Sequence, residues 1–158
     1  MSPVDDCELS RDDYELSRFD ETQPELRKQV EDGLHAYNVG QSEEMRQQSR
    51  PLELYVRDRD GRVRGGLLGR MRWWWTGRGC LEVGVLWLDE PLRRSGHGSR
   101  LLRQAEEAAR AAGCARVTLH TFSFQARPFY EKQGYRVFGQ LEDFPPGGAA
   151  YWMVKELG

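Results

Sequence analysis

Hydrophobic and polar positions group along the chain into short elements, with no internal repeat and no long Ser- or Gly-rich linker. Residues 14–19 alternate in polarity and predict a first strand. Pro24 stands where a helix begins, and Leu26, Val30, Leu34 and Tyr37 follow at helical spacing. Residues 38–50 are polar and predict an irregular stretch. Residues 52–57 alternate as a strand, Arg59, Asp60 and Gly61 supply turn chemistry, and residues 63–74 return as the second arm of a hairpin.

The middle of the chain has a different pattern. Residues 80–88 form a nearly unbroken apolar run, as expected of a buried central strand, with Glu82 its one charged member. A loop over 89–95 leads into residues 99–112, where Leu101, Leu102, Ala105, Ala108 and Ala109 recur at helical spacing ahead of Gly113. Residues 116–121 predict a strand and 125–133 a short helix closed by Gly134. Residues 135–141 and 151–155 predict closing strands, separated by Pro145, Pro146, Gly147 and Gly148. Strand, loop, helix, strand implies a parallel crossover, and the hairpin-like strands at both ends imply an otherwise antiparallel sheet. The expected class is therefore α+β, built on a mixed sheet.

Composition narrows the partners. The chain has 158 residues, and one domain over 1–158 is expected. A domain of this size buries about 70% of its unfolded-chain surface. Lys plus Arg number 23 against 25 Asp plus Glu, a formal charge of -2, so nothing draws the chain as a whole to nucleic acid or anionic membrane. The first residues are acidic and polar, unlike a signal peptide, and no run of about 18 apolar residues occurs, so a soluble cytoplasmic protein is expected. Cys7, Cys80 and Cys114 are widely separated and predict reduced thiols. His35, His97 and His120 fall on different elements without ligand spacing, so no metal is expected. Arg62, Arg64, Arg70, Arg72 and Arg78 read as a solvated strand face rather than a nucleic-acid groove.

Arg93, Arg94, Ser95, Gly96, His97, Gly98 and Ser99 stand between the apolar strand and the amphipathic helix, where free backbone N–H groups and the positive helix end converge on a bound anion. Gly96 and Gly98 let the backbone approach phosphate oxygens, and Arg93 or Arg94 adds a charged contact. A P-loop would need Gly-Lys-Ser/Thr, and a dinucleotide fingerprint would need glycine where Leu101 stands.

The segment instead resembles the Arg/Gln-x-x-Gly-x-Gly/Ala signature of the GNAT superfamily of acetyl-CoA-dependent N-acetyltransferases, matched by Arg93, Gly96 and Gly98. Phe129, Tyr130, Gly134 and Tyr135 are similar to the superfamily's second signature. Residues 138–147 resemble a segment found in bacterial members. The resemblance implies a twisted, mostly antiparallel sheet flanked by helices, whose parallel pair is formed by residues 80–88 and 116–121. It implies acetyl-CoA as co-substrate, with its pantetheine arm running between these two strands past Leu86, Trp87 and Leu88. In the superfamily a bulge opens that gap, and Gly84 would permit one.

The chemistry this implies is direct acetyl transfer to a primary amine of a small molecule or peptide. An amine with a pKa of about 10.4 must first lose a proton. Glu82 matches the position of a catalytic glutamate in relatives, and burial would raise its pKa; the alternative is a carboxylate paired with Arg72 or Arg78. Tyr130 matches the superfamily tyrosine that protonates the departing thiolate; the alternative is a core aromatic, although of the adjacent pair Phe129 is expected to face the core. Ser123 stands where relatives carry an Asn that contacts the cofactor arm. Trp73, Trp74 and Trp75 could line an acceptor pocket, and exposure of one would mark a homodimer contact. Two other functions remain open on sequence: a catalytically silent acyl-CoA-binding module and, against the charge balance, an arginine-rich nucleic-acid binder.

Overall fold

The structure is a computed structural model that describes residues 16–41, 48–73 and 78–158. The chain separates into two compact units, Met1–Gln41 and Ser42–Gly158. In the first unit, helix α1 spans Pro24–Gln41. It runs through Asn38 into the stretch expected to be irregular, where no proline interrupts it, and upstream Arg27 and Lys28 pair with Glu31 and Asp32 one turn on. The strand expected over 14–19 is not formed at residues 16–19, and its first two positions lie outside the described residues. Alternating polarity yields a strand only where a partner edge is at hand.

In the second unit the order is β1 (Gln48–Arg57), β2 (Val63–Trp73), β3 (Gly79–Leu88), a short 3-10 turn (Glu90–Leu92), α2 (His97–Ala111), β4 (Cys114–Phe122), α3 (Arg127–Lys132), β5 (Arg136–Glu142) and β6 (Ala149–Glu156). The strands form one six-stranded sheet in the order β1-β2-β3-β4-β6-β5. Only β3 and β4 run parallel; the other neighbours are antiparallel. This is the GNAT fold, and the expected fold class and parallel pair are as observed. β1 begins before Leu52, upstream of Pro51, whose missing N–H is tolerated because β1 ends the sheet among the described residues.

Helix α2 crosses one face of the sheet. Its buried Leu101, Leu102, Ala105 and Ala109 pack on Leu67, Met71, Leu81, Val83, Val117, Leu119 and Met153, which alternate inward from the strands. One polar group enters this core. The Glu106 carboxylate, buried on α2, accepts the Tyr135 hydroxyl at 3.0 Å and the Lys155 ammonium at 2.6 Å, tying the helix to β6 and to the residue after Gly134. Burial, and secondarily the Glu106 charge, pushes the Tyr135 phenol far above its ordinary value.

Two consequences are measurable. Glu106→Ala strands a buried phenol and a partly buried ammonium, and is expected to cost about 3 kcal/mol in urea-unfolding measurements. The unfolded chain releases the Tyr135 proton near pH 10 while the fold retains it, so stability is intact below that pH and falls as pH rises beyond about 10; Tyr135→Phe is expected to flatten this alkaline limb of the denaturation midpoint.

Candidate active site

β3 and β4 share a ladder from Gly79↔Cys114 to Val83↔Leu119, and then part. On its other side β3 stays paired with β2, but Leu68 faces Val85 and Gly69 faces Val83, which leaves Gly84 as the extra residue of a bulge. The bulge expected of Gly84 is therefore present. Beyond it the strand is no longer the buried element expected over 80–88. Leu86 and Leu88 pack toward the core, while Val85 and Trp87 are each 48% exposed on the opposite face. A cleft with unpaired strand edges opens between Gly84–Leu88 and the end of β4.

The loop after β3 closes the cleft's wide end. Asp89 is fixed to the β1–β2 hairpin through its N–H to Arg64 O at 2.8 Å and its carboxylate to the Arg64 guanidinium at 3.0 Å. Arg93 folds back so that its Nε donates to Leu88 O at 3.0 Å, leaving its terminal nitrogens for other partners. Arg94 (φ 60°) and Gly96 (φ 86°) both take the left-handed conformation, which turns successive N–H groups to one side of the chain. α2 starts at His97, two residues earlier than the apolar spacing indicates, so His97, Gly98 and Ser99 form its first turn. Among the described residues, no carbonyl or side chain takes the N–H groups of Arg94, Ser95, Gly96, His97, Gly98 and Ser99. Leu92 O can only accept, so the Ser95 hydroxyl donates to it at 2.6 Å and receives His97 Nδ1–H at 2.7 Å, which ties the first residue of α2 to the loop before it. The first turn of α2 carries no acidic residue to oppose one.

The short helix α3 lies against this loop. The Phe129 ring and the Leu88 side chain lie over Gly98, 3.4 and 3.6 Å from where a Cβ would stand, which is ordinary van der Waals contact, so three elements meet at this position. This contact reverses the expected roles of the aromatic pair: Phe129 is half-buried over Gly98, and Tyr130 takes the core position. The Tyr130 ring meets Phe129 and Tyr135 edge-on, with centroids 5.1 and 5.9 Å away. Burial raises its pKa, and its hydroxyl has no partner among the described residues, so it remains a protonated donor across the neutral range.

Two expected site residues are engaged differently. Glu82 is not buried: its side chain is 53% exposed on the sheet face away from α2 and pairs with Arg72 at 3.2 Å. Charged residues pointing off the outer sheet face meet solvent even within an apolar run. Glu82 nonetheless lies one position before the last rung of the β3–β4 ladder. The Ser123 hydroxyl accepts Ala149 N–H at 3.1 Å, and its own proton remains available. Trp73 donates its indole N–H to Ala112 O at 2.9 Å, a packing role; Trp74 and Trp75 lie outside the described residues. Among the described residues, no group of three or more His, Cys, Asp or Glu could hold a metal ion, and no helix is long and apolar enough to cross a membrane.

The model of the Acetyltransferase (GNAT) family matches residues 10–135. The chain belongs to the GNAT acetyltransferase family. It is 40% identical over 114 residues, 70% of this chain and 80% of the relative, to a blasticidin-S acetyltransferase of Streptomyces morookaense. An acetyltransferase of Agrobacterium fabrum is 34% identical over 133 residues, covering 84% of this chain and 92% of that protein. The crystal structure of an acetyltransferase from Bacillus cereus superposes with a TM-score of 0.75 at 30% identity, covering 89% of this chain and 97% of that one. This GNAT chain is accordingly an acetyltransferase whose co-substrate is acetyl-CoA. The unpaired N–H array over Arg94–Ser99 fits a diphosphate, and the unpaired strand edges of the cleft fit an amide-bearing arm.

Sequence reasoning did not find Phe129 as the packing partner of Gly98, nor the tether from Arg93 to Leu88; both join elements that only the fold brings together. Gly96→Val forces a β-branched residue into left-handed backbone, a strain of about 1–3 kcal/mol that the loop relieves by changing shape. Acetyl-CoA affinity, read by isothermal titration calorimetry, is expected to weaken roughly tenfold or more. Unchanged affinity would place the diphosphate elsewhere.

Proposed function

We propose that this GNAT enzyme transfers acetyl directly from acetyl-CoA to a primary amine of a small molecule or peptide. The observation that carries the reading is the array of unpaired N–H groups from Arg94 to Ser99 at the mouth of a cleft between two parted parallel strands. These N–H groups, with Arg93 and Arg94, hold the diphosphate of the co-substrate, and the edges of Leu86, Trp87 and Leu88 hold its arm, assisted by the Ser123 hydroxyl. The amine nitrogen forms a bond to the thioester carbon while the C–S bond breaks. Glu82, open to water on the outer sheet face, takes the amine proton through a water chain. Tyr130 gives its phenolic proton to the departing thiolate, and burial keeps that proton in place until the charge develops. Arg72 keeps the Glu82 carboxylate at the last rungs of the ladder.

Tyr130→Phe is expected to lower kcat by about 10²- to 10³-fold with acetyl-CoA affinity retained, in a thiol-release assay over a panel of primary amines. Glu82→Gln is expected to be most impaired near pH 7 and to approach the unmodified enzyme near pH 10, where an amine of pKa about 10.4 supplies its own neutral form. A pH-independent deficit would reduce Glu82 to a partner of Arg72. If no primary amine is acetylated while acetyl-CoA binds, the acceptor class is wrong.

A further inference from the structure

The sheet has two faces, and the second unit covers only one of them. α2 and the Tyr130 end of α3 pack on the face carrying Leu81, Val83, Val117 and Leu119, which closes the cleft from that side. Glu82 and His120 point to the other face, as their exposure and register show. Within this unit an acceptor therefore reaches the parting strands from the face of Glu82 and His120.

That face carries a shelf of aromatic rings along the end of β4 and the turns beyond it. Phe122 and Phe124 lie parallel, with centroids 5.5 Å apart and planes 4° from each other, and Phe144, from the β5–β6 connection, meets Phe122 at 6.1 Å. His120 joins Phe122 edge-on at 4.6 Å and Trp152 at 5.0 Å. Phe124 is 69% and Phe144 51% exposed, a cluster of apolar rings that is costly to leave in water. Elsewhere in this unit Tyr55, Trp73, Tyr135 and Tyr151 each have an Arg or Lys against the ring. Among the described residues, none of the rings of Phe122, Phe124, Phe144 and Trp152 carries such a cation.

From these observations we infer that the Phe122–Phe124–Phe144 shelf is the acceptor-specificity subsite, and that it selects amines carrying a flat aromatic or heteroaromatic group. The inference rests on the amine-acetyltransferase reading above and deepens it. Distance supports it: Phe122 is three residues past Leu119, the last paired position, or roughly 10 Å at about 3.3 Å per residue. A ring seated there holds an amine a few bonds away beside the cleft, close to Glu82. Stacking supplies about 0.5–1.5 kcal/mol per ring pair beyond burial, and a protonated amine adds cation–π attraction on approach. Discrimination of about tenfold between a ring-bearing amine and an aliphatic one of similar reach follows.

The test compares phenethylamine with n-butylamine under saturating acetyl-CoA, in the unmodified enzyme and in Phe124→Ala and Phe144→Ala. The expected result is kcat/KM about tenfold higher for phenethylamine, an advantage lost in both variants through KM for the amine, with KM for acetyl-CoA unchanged. Equal use of the two amines, or an advantage that survives both substitutions, overturns the subsite. Acetylation of neither amine overturns it as well; turnover of other amines in the same panel would then leave the broader reading standing, and turnover of none would remove both. Calorimetric binding of phenethylamine to the CoA complex, abolished in Phe144→Ala, gives a readout independent of turnover. A dimer by analytical ultracentrifugation that dissociates in Phe144→Ala would instead assign the shelf to a second copy of the chain.

Discussion

Two neighbouring parallel strands that cannot stay together are the constraint on which the rest of this structure depends. β3 is held by β2 along its whole length, yet follows β4 only as far as Val83 and Leu119. Gly84 absorbs the mismatch as a bulge, and past it the two strands present unpaired amide edges to each other across a gap. In an ordinary sheet such edges are a liability. Here α2 and Tyr130 pack on one side of the vertex.

The same parting sets the electrostatics. Because β3 ends at a fixed point, braced by Arg64 on Asp89 and by Arg93 on Leu88, the following loop delivers the first turn of α2 to the wide end of the gap. The N–H groups of that turn and of the left-handed residues before it have no partner among the described residues, an arrangement that suits an anion. Phe129 packs over Gly98, which places α3 and the adjoining Tyr130 phenol against the loop. One bulge and one helix start thus bring a donor array, a cleft and the Tyr130 phenol together from three separate stretches of chain.

Charge is used sparingly elsewhere. The buried Glu106, satisfied by Tyr135 and Lys155, fixes how α2 sits on β6 and hence the height of the helix mouth above the cleft. Glu82 and Arg72, by contrast, pair on the outer sheet face, where both side chains are partly exposed to solvent. The two carboxylates serve different ends because one points from α2 toward Tyr135 and Lys155 and the other faces solvent.

Much of this was legible in the residues themselves. Periodicity marked the hairpin, the crossover helix and the closing strands, and the spacing of Arg93, Gly96 and Gly98 ahead of an amphipathic helix announced an anion seat, because helical and glycine-turn geometry are local properties of the backbone. What alternation and spacing could not say is which way a strand residue faces or what lies opposite it. Glu82 read as buried within an apolar run, Phe129 as the core member of its pair, and residues 16–19 as strand. Each was decided by partners distant in sequence: the outer sheet face and Arg72 for Glu82, the packing of Phe129 over Gly98 for the aromatic pair, and the lack of a paired edge for residues 16–19. The aromatic shelf belongs to the same class, since Phe122, Phe124, Phe144 and Trp152 come from β4, two turns and β6 and become neighbours only when the sheet forms. Local chemistry fixed the elements and the glycine turn ahead of α2; facing and adjacency required the tertiary structure, because both depend on contacts between residues far apart along the chain.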